Sequence, residues 1–154
     1  MLLGLGLDLW TKQAVFTWLE PGQSAEIIDG FFAFQPVLNT GAAFGIGAGQ
    51  YLFLVAVAVI ALIVILGMFL FGRVQQRIVQ VALGLFAAGV SGNLWDRLFN
   101  QGQVRDFVDV VYWPGRHWHT FNVADAMLCV AVGLLILATL FTDSSGRTRA
   151  RPRR

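Results

Sequence analysis

The chain of 154 residues has little charge: Asp, Glu, Lys and Arg make up 13% of it, while 56% is apolar. A soluble domain carries about twice that charged share. Tyr51 to Phe71 is 21 residues without one charge, and Ile78 to Trp95 is 18 more. Helical runs of about 18 or more such residues match the hydrocarbon thickness of a bilayer, which excludes a protein bathed in water on all sides. Cysteine is nearly absent too. Cys129 stands alone in an apolar run, so no intrachain disulfide forms, and it reads as a small buried hydrophobe. No Gly-rich phosphate loop, G-x-S-x-G or H-E-x-x-H occurs, so nucleotide, serine-hydrolase and zincin chemistries lack a signal. Met1 to Leu7 lacks the basic start and small-residue cleavage site of a secretory leader, and reads as the start of a retained span.

The charges that exist are unevenly placed. The formal net charge is +2, but residues 143–154 carry +4 and the other 142 residues −2. Five arginines (Arg147, Arg149, Arg151, Arg153 and Arg154) fall in the last eight positions. Beside a membrane span such a tail is a topology signal rather than a nucleic-acid site. Four spans are expected: Leu2 to Leu19, interrupted by Asp8 and Lys12; Tyr51 to Phe71; Arg77 to Arg97; and Phe121 to Thr142, interrupted by Asp125. At about 1.5 Å per residue, 21 residues reach roughly 31 Å, enough for one crossing. Segment 20–50 has no Lys or Arg, whereas Arg73 and Arg77 flank the short 72–76 connection. The positive-inside rule then puts that connection and both termini in the cytoplasm, with segments 20–50 and 98–120 outside. Trp18, Trp95, Trp113 and Trp118 fall near the outer ends, as an interfacial belt would.

The expected fold is a membrane all-α protein of four transmembrane helices with a small β-rich outer segment between spans 1 and 2. The strand signal lies in 26–39, where β-branched and aromatic residues are bounded by Gly, Pro and Asn. Residues 1–142 read as one domain and 143–154 as a disordered basic tail. Nothing in the composition requires more than a monomer.

Ionisable side chains inside spans cost about 2.5–3.5 kcal/mol each on insertion scales, so each needs a reason. Asp8 and Lys12, four apart, share a helical face and can pair. Asn93, Asp96 and Arg97 lean to one side of the third span's end, with Asp96 and Arg97 read as an interfacial ion pair. Gly84, Ala88, Ser91 and Gly92 allow close helix approach there. Asp106 follows the third span. Asp125 sits in the first turns of the fourth, roughly 8 Å below the outer surface, with Asn122 three residues earlier on the same face. Two carboxyl groups at one half-buried site share a proton, because burial and like charge both oppose the second ionisation. Aspartic proteases exploit that condition. Alternatives stay open at this point: Asp106, Asp109 and Asp125 with His117 and His119 could ligate a metal, or Asp8, Lys12, Asp106 and Asp125 could relay protons in a small transporter.

Five stretches then stand in order: Asp8 to Lys12 (DLWTK), Asn39 to Gly45 (NTGAAFG), Gly89 to Arg97 (GVSGNLWDR), Val104 to Phe107 (VRDF) and Phe121 to Asp125 (FNVAD). The set resembles the lipoprotein signal peptidase (signal peptidase II) family of four-span bacterial aspartic endopeptidases. The resemblance implies that Asp106 and Asp125 are the catalytic dyad. It implies that Asp8, Lys12, Asn39, Asn93, Asp96, Arg97 and Asn122 line or brace the site, with no metal or other cofactor. It implies a diacylglyceryl-modified prolipoprotein as substrate, cut just before the lipidated cysteine, in the bacterial cytoplasmic (inner) membrane. Membrane lipids are the other expected partner, and nucleic acid is not one. Two departures stand out: Ala88-Gly89 replaces the usual Gly-Gly, and only seven residues precede Asp8.

Overall fold

The computed structural model describes residues 1–42, 47–72 and 74–147, with side chains described as far as 141. Ala43 to Gly45 of the second motif, Arg73 and the end of the basic tail lie outside the described residues. The elements are α1 (Leu2–Trp18), β1 (Ala25–Ile28), β2 (Phe32–Asn39), α2 (Tyr51–Leu70), α3 (Arg77–Phe99), β3 (Val104–Trp113), β4 (Arg116–His117) and α4 (Val123–Arg147). Among the described residues three helices are long and apolar enough to cross a membrane: Tyr51–Leu70, Arg77–Phe99 and Val123–Phe141. The fourth helix, α1, has 17 residues and carries Asp8 and Lys12.

The strands form one antiparallel sheet in the order β1-β2-β3-β4. The β-rich part is therefore not confined to the connection between the first two long helices, as expected from 26–39. The connection between α3 and α4 supplies β3, the longest strand, which pairs with β2 from Phe32↔Val110 to Asn39↔Val104. Alternation fails as a guide there because β3 buries Asp106 and Asp109 along with Val104 and Phe107. The register slips between Phe34 and Val37 on β2. Buried Pro36 falls in that slip, where a residue without an N–H is tolerated in a sheet.

Burial is inverted relative to a water-soluble protein. Asp8, Lys12 and Asp96 are 0% exposed, whereas Leu3 is 91% and Leu52 77% exposed. Helix α2 buries only Ile65, while α3 buries a continuous stripe from Ala82 to Arg97. Small residues make the stripe possible. A side chain at Gly89 would strike the Ala124 carbonyl oxygen and Leu128, and one at Gly92 would strike the Asp8 carboxylate. The methyl of Ala88 is accommodated against Gly4, whose own Cβ would come within 3.1 Å of it. Helix α3 is thus clamped between α1 and α4 at the end where both chain segments of the sheet meet.

Candidate active site

The start of α4 builds the first half of the site. Asn122 accepts the Asp125 backbone N–H on its Oδ1 at 3.0 Å, and Asp125 Oδ2 accepts the Asn122 backbone N–H at 3.3 Å. This reciprocal pair is a capping box, satisfying N–H groups that the first turn of any helix leaves without partners. Asp8 reaches across from α1 to satisfy another: its Oδ1 accepts the Ala124 N–H at 2.8 Å. The FNVAD stretch is therefore a helix start whose capping carboxylate faces inward.

Strand β3 brings the second carboxylate. Asp106 is 1% exposed, and each of its oxygens faces a carboxamide donor: Asn122 Nδ2 at 2.6 Å and Asn39 Nδ2 at 2.9 Å. Asn39 is held in that direction because its own Oδ1 accepts the Gly41 N–H at 2.8 Å. Asn93 on α3 donates to Asp125 Oδ1 at 2.8 Å and accepts from Asn122 at 3.1 Å. Burial, reinforced by the Asp125 charge, pushes the Asp106 carboxyl up to about 6, against the two amide bonds that favour its ionised form. Among the described residues no Lys, Arg or His forms an ion pair with either carboxylate.

Beside this pair lies a compensated ionic cluster. Lys12 contacts Asp8 at 2.8 Å and Asp96 at 3.2 Å, with all three side chains fully buried. Asp96 also accepts from Arg105, from its side chain at 2.7 and 3.1 Å and its backbone N–H at 2.9 Å. The expected Asp96–Arg97 pair does not form. Neighbours in a helix point about 100° apart, so Arg97 turns elsewhere and donates to the Gly41 carbonyl at 2.7 Å and the Asn93 carbonyl at 3.2 Å.

Two clefts meet at the acid pair. One, of about 310 Å³, runs among α2, α3 and α4 and is walled by Leu54, Val57, Phe86 and Leu128. The other, of about 400 Å³, is bounded by Trp118, Phe121, Cys129 and Val130. Asn39, Asp106 and Asp125 line both. Cys129 is exposed there rather than buried as expected, since its face of α4 looks outward.

The family model described as "Signal peptidase (SPase) II" matches residues 1–141, nearly the whole chain. The chain belongs to the signal peptidase II family. It is 39% identical over 145 residues to a lipoprotein signal peptidase of Symbiobacterium thermophilum, covering 94% of each chain. A lipoprotein signal peptidase of Geobacter sulfurreducens is 41% identical over 138 residues, 88% of this chain and 85% of that one. A solved bacterial membrane enzyme superposes with a TM-score of 0.87 at 32% identity, covering 99% of this chain and 91% of the other.

For a signal peptidase II, the residues expected from the sequence collect as one site: Asp8, Lys12, Asn39, Asn93, Asp96, Arg97, Asp106, Asn122 and Asp125 are joined by the bonds above. The metal alternative finds no donor set. His117 Nδ1 lies 2.7 Å from Asp109 Oδ2 and His119 lines the second cleft with Asp106 and Asp125, but no three His, Cys, Asp or Glu side chains among the described residues group as a metal site. Arg105 was missed by sequence reasoning. It also reaches Gln13 Oε1 at 3.2 Å, and the only signal for it was its place beside Asp106.

Proposed function

We propose that this chain is the membrane aspartic endopeptidase that removes signal peptides from diacylglyceryl-modified prolipoproteins, cutting before the lipidated cysteine, with Asp106 and Asp125 as the reacting pair. The observation that carries the reading is two carboxylates at the junction of two clefts, neither in an ion pair among the described residues. A peptide lying across the junction has room on both sides of its scissile bond. Asp125 receives N–H donors on both oxygens and acts as the ionised base that takes a proton from water. Asp106, which takes up a proton more readily than an ordinary carboxylate, donates to the scissile carbonyl and stabilises the tetrahedral intermediate. The proton gained by Asp125 then passes to the leaving amine as the C–N bond breaks, and the hydroxyl that Asp106 protonated returns its proton to Asp106 as the new carboxyl group forms. No covalent acyl-enzyme forms.

The membrane setting follows the same reading. Helix α1 is a fourth span: it turns Asp8 and Lys12 inward and presents Leu2, Leu3, Leu7 and Trp10 outward. With both termini and the 72–76 connection cytoplasmic, the sheet and the acid pair lie at the extracytoplasmic face of the inner membrane. Trp18, Trp95, Trp113 and Trp118, all exposed, mark that interface. Residues 1–142 act as one monomeric peptidase unit, with the basic tail beyond it and membrane lipid as the bounding partner. A diacylated cysteine holds its peptide at the depth of the site, so an unlipidated peptide is a poor substrate.

The test is cleavage of a diacylglyceryl-modified precursor by purified enzyme. Asp106→Asn and Asp125→Asn each lower turnover by about a thousandfold or more while the protein still inserts and melts normally. Turnover near wild type in either variant removes the assignment. Activity survives exhaustive chelation. Loss on chelation with recovery on added zinc favours metal hydrolysis, and proton flux into liposomes without cleavage favours a transporter.

A further inference from the structure

Lys12 is the only lysine in the chain. Its ammonium contacts Asp8 at 2.8 Å, Asp96 at 3.2 Å and Asn93 Oδ1 at 3.1 Å. An ammonium has three protons and no lone pair, so each contact must meet an acceptor. The Asn93 atom facing Lys12 is therefore its oxygen, and its NH₂ group faces the other way, at Asp125 Oδ1, 2.8 Å away. The neighbouring carboxamide agrees independently. Asn122 Oδ1 accepts a backbone N–H, so its Nδ2 donates to Asn93 Oδ1 and Asp106 Oδ1.

We propose that Lys12 is a positioning residue for hydrolysis: by donating to Asn93 it fixes which way round that carboxamide sits, so that Asp125 always meets an N–H and never a carbonyl oxygen. The proposal rests on the reading of Asp106 and Asp125 as the reacting pair. Lys12 touches no substrate; its charge favours the ionised form of Asp106, and its hydrogen bond acts on Asp125 through Asn93. The titratable groups around this path are Asp8 on α1, Asp96 and Arg97 on α3, Asp106 on β3 with Arg105 reaching Asp96, Asp125 on α4, and His119 and Cys129, which line the second cleft with the two acids. Helix α2 lines the site only with apolar side chains.

The test uses the full chain in lipid with a diacylglyceryl-modified precursor. The double variant Asp8→Asn/Lys12→Gln removes one charge of each sign, leaving the net charge of the cluster unchanged. Its glutamine both donates and accepts, so one of the two donors that orient Asn93 is lost and only Asn122 still holds it. The rate at neutral pH falls roughly tenfold to a hundredfold, with KM little changed, as expected for losing one hydrogen bond to a charged group. The acid limb of the pH–rate profile moves up by about one pH unit. In an Asn93→Ala background the same double substitution moves the profile no further. A folded double variant with the wild-type profile, or an equal further shift on top of Asn93→Ala, overturns the proposal and leaves Lys12 a structural brace. If the double variant fails to insert, Lys12→Arg decides: arginine is also donor-only, so the wild-type profile persists, and a displaced profile overturns the proposal. Asp125→Asn is assayed alongside; activity there removes the reading of the reacting pair, a result distinct from failure of the Lys12 proposal.

Discussion

Two groups of buried acids lie side by side in this molecule and obey opposite rules. Asp8 and Asp96 are each matched by a cation, Lys12 and Arg105, and every partner lies on a different element or turn. Asp106 and Asp125 form no ion pair among the described residues and are met by the amides of Asn39, Asn93 and Asn122. The first arrangement cancels charge and ties α1, α3 and β3 together. The second sets two carboxyl groups against neutral amides, and burial together with the Asp125 charge raises the Asp106 carboxyl to about 6. Matched acids tie elements together and, on the proposed reading, the unmatched pair does the chemistry; Asp8, Asp96 and Asp106 are hidden from water, whereas Asp125 is half-buried where the clefts open.

Substitutions can break this contrast in order of severity. Asp96→Ala strands Lys12 and Arg105 without their shared acceptor, and such loss of one member of a buried ion cluster costs about 3–5 kcal/mol. Thermal unfolding in detergent should show it as a large fall in Tm, far greater than for Asp106→Asn. A stability close to wild type would mean the cluster does not hold the elements together.

A subtler separation comes from pH. Because the folded protein holds the Asp106 proton up to about 6, against 3.8 for the free side chain, its contribution favours folding fully below about pH 3.8 and is lost as pH rises through 6. That loss is about 2–3 kcal/mol. Stability measured across this window should decline in the wild type and stay flatter in Asp106→Asn; parallel curves would place the titration elsewhere. The smallest expected effect is at Gly92, where an added methyl meets the Asp8 carboxylate. Gly92→Ala should cost about 1–2 kcal/mol by overpacking, and an unchanged Tm would show that α1 can withdraw freely.

The sequence disclosed the helices and the acids more readily than it disclosed their partners. Long uncharged runs predicted α2, α3 and α4 to within a few residues, because lipid-facing helices have no competing pattern. The i,i+4 spacing of Asp8 and Lys12 announced their pair, which depends on local geometry alone. Strand β3 was not legible, since its buried aspartates imitate the polar phase of an exposed strand. The partner of Asp96 was misassigned to Arg97 for the same reason: adjacency in the chain is visible, whereas the turn that returns Arg105 to Asp96 is a tertiary event. The capping role of Asp125 was written in the N-x-x-D spacing of residues 122–125, but that spacing alone does not tell an inward cap from an outward one.

Helix α2 buries a single residue, Ile65. Fluid hydrocarbon moulds itself to any greasy outline, so positions such as Leu52, Ile60 and Ile63 can exchange freely among leucine, isoleucine, valine and phenylalanine without a gap or a clash. The glycine-lined seam between α3 and its neighbours has no such latitude. Drift over many generations should therefore accumulate on the rim that lipid wets, leaving the narrow polar interior almost untouched.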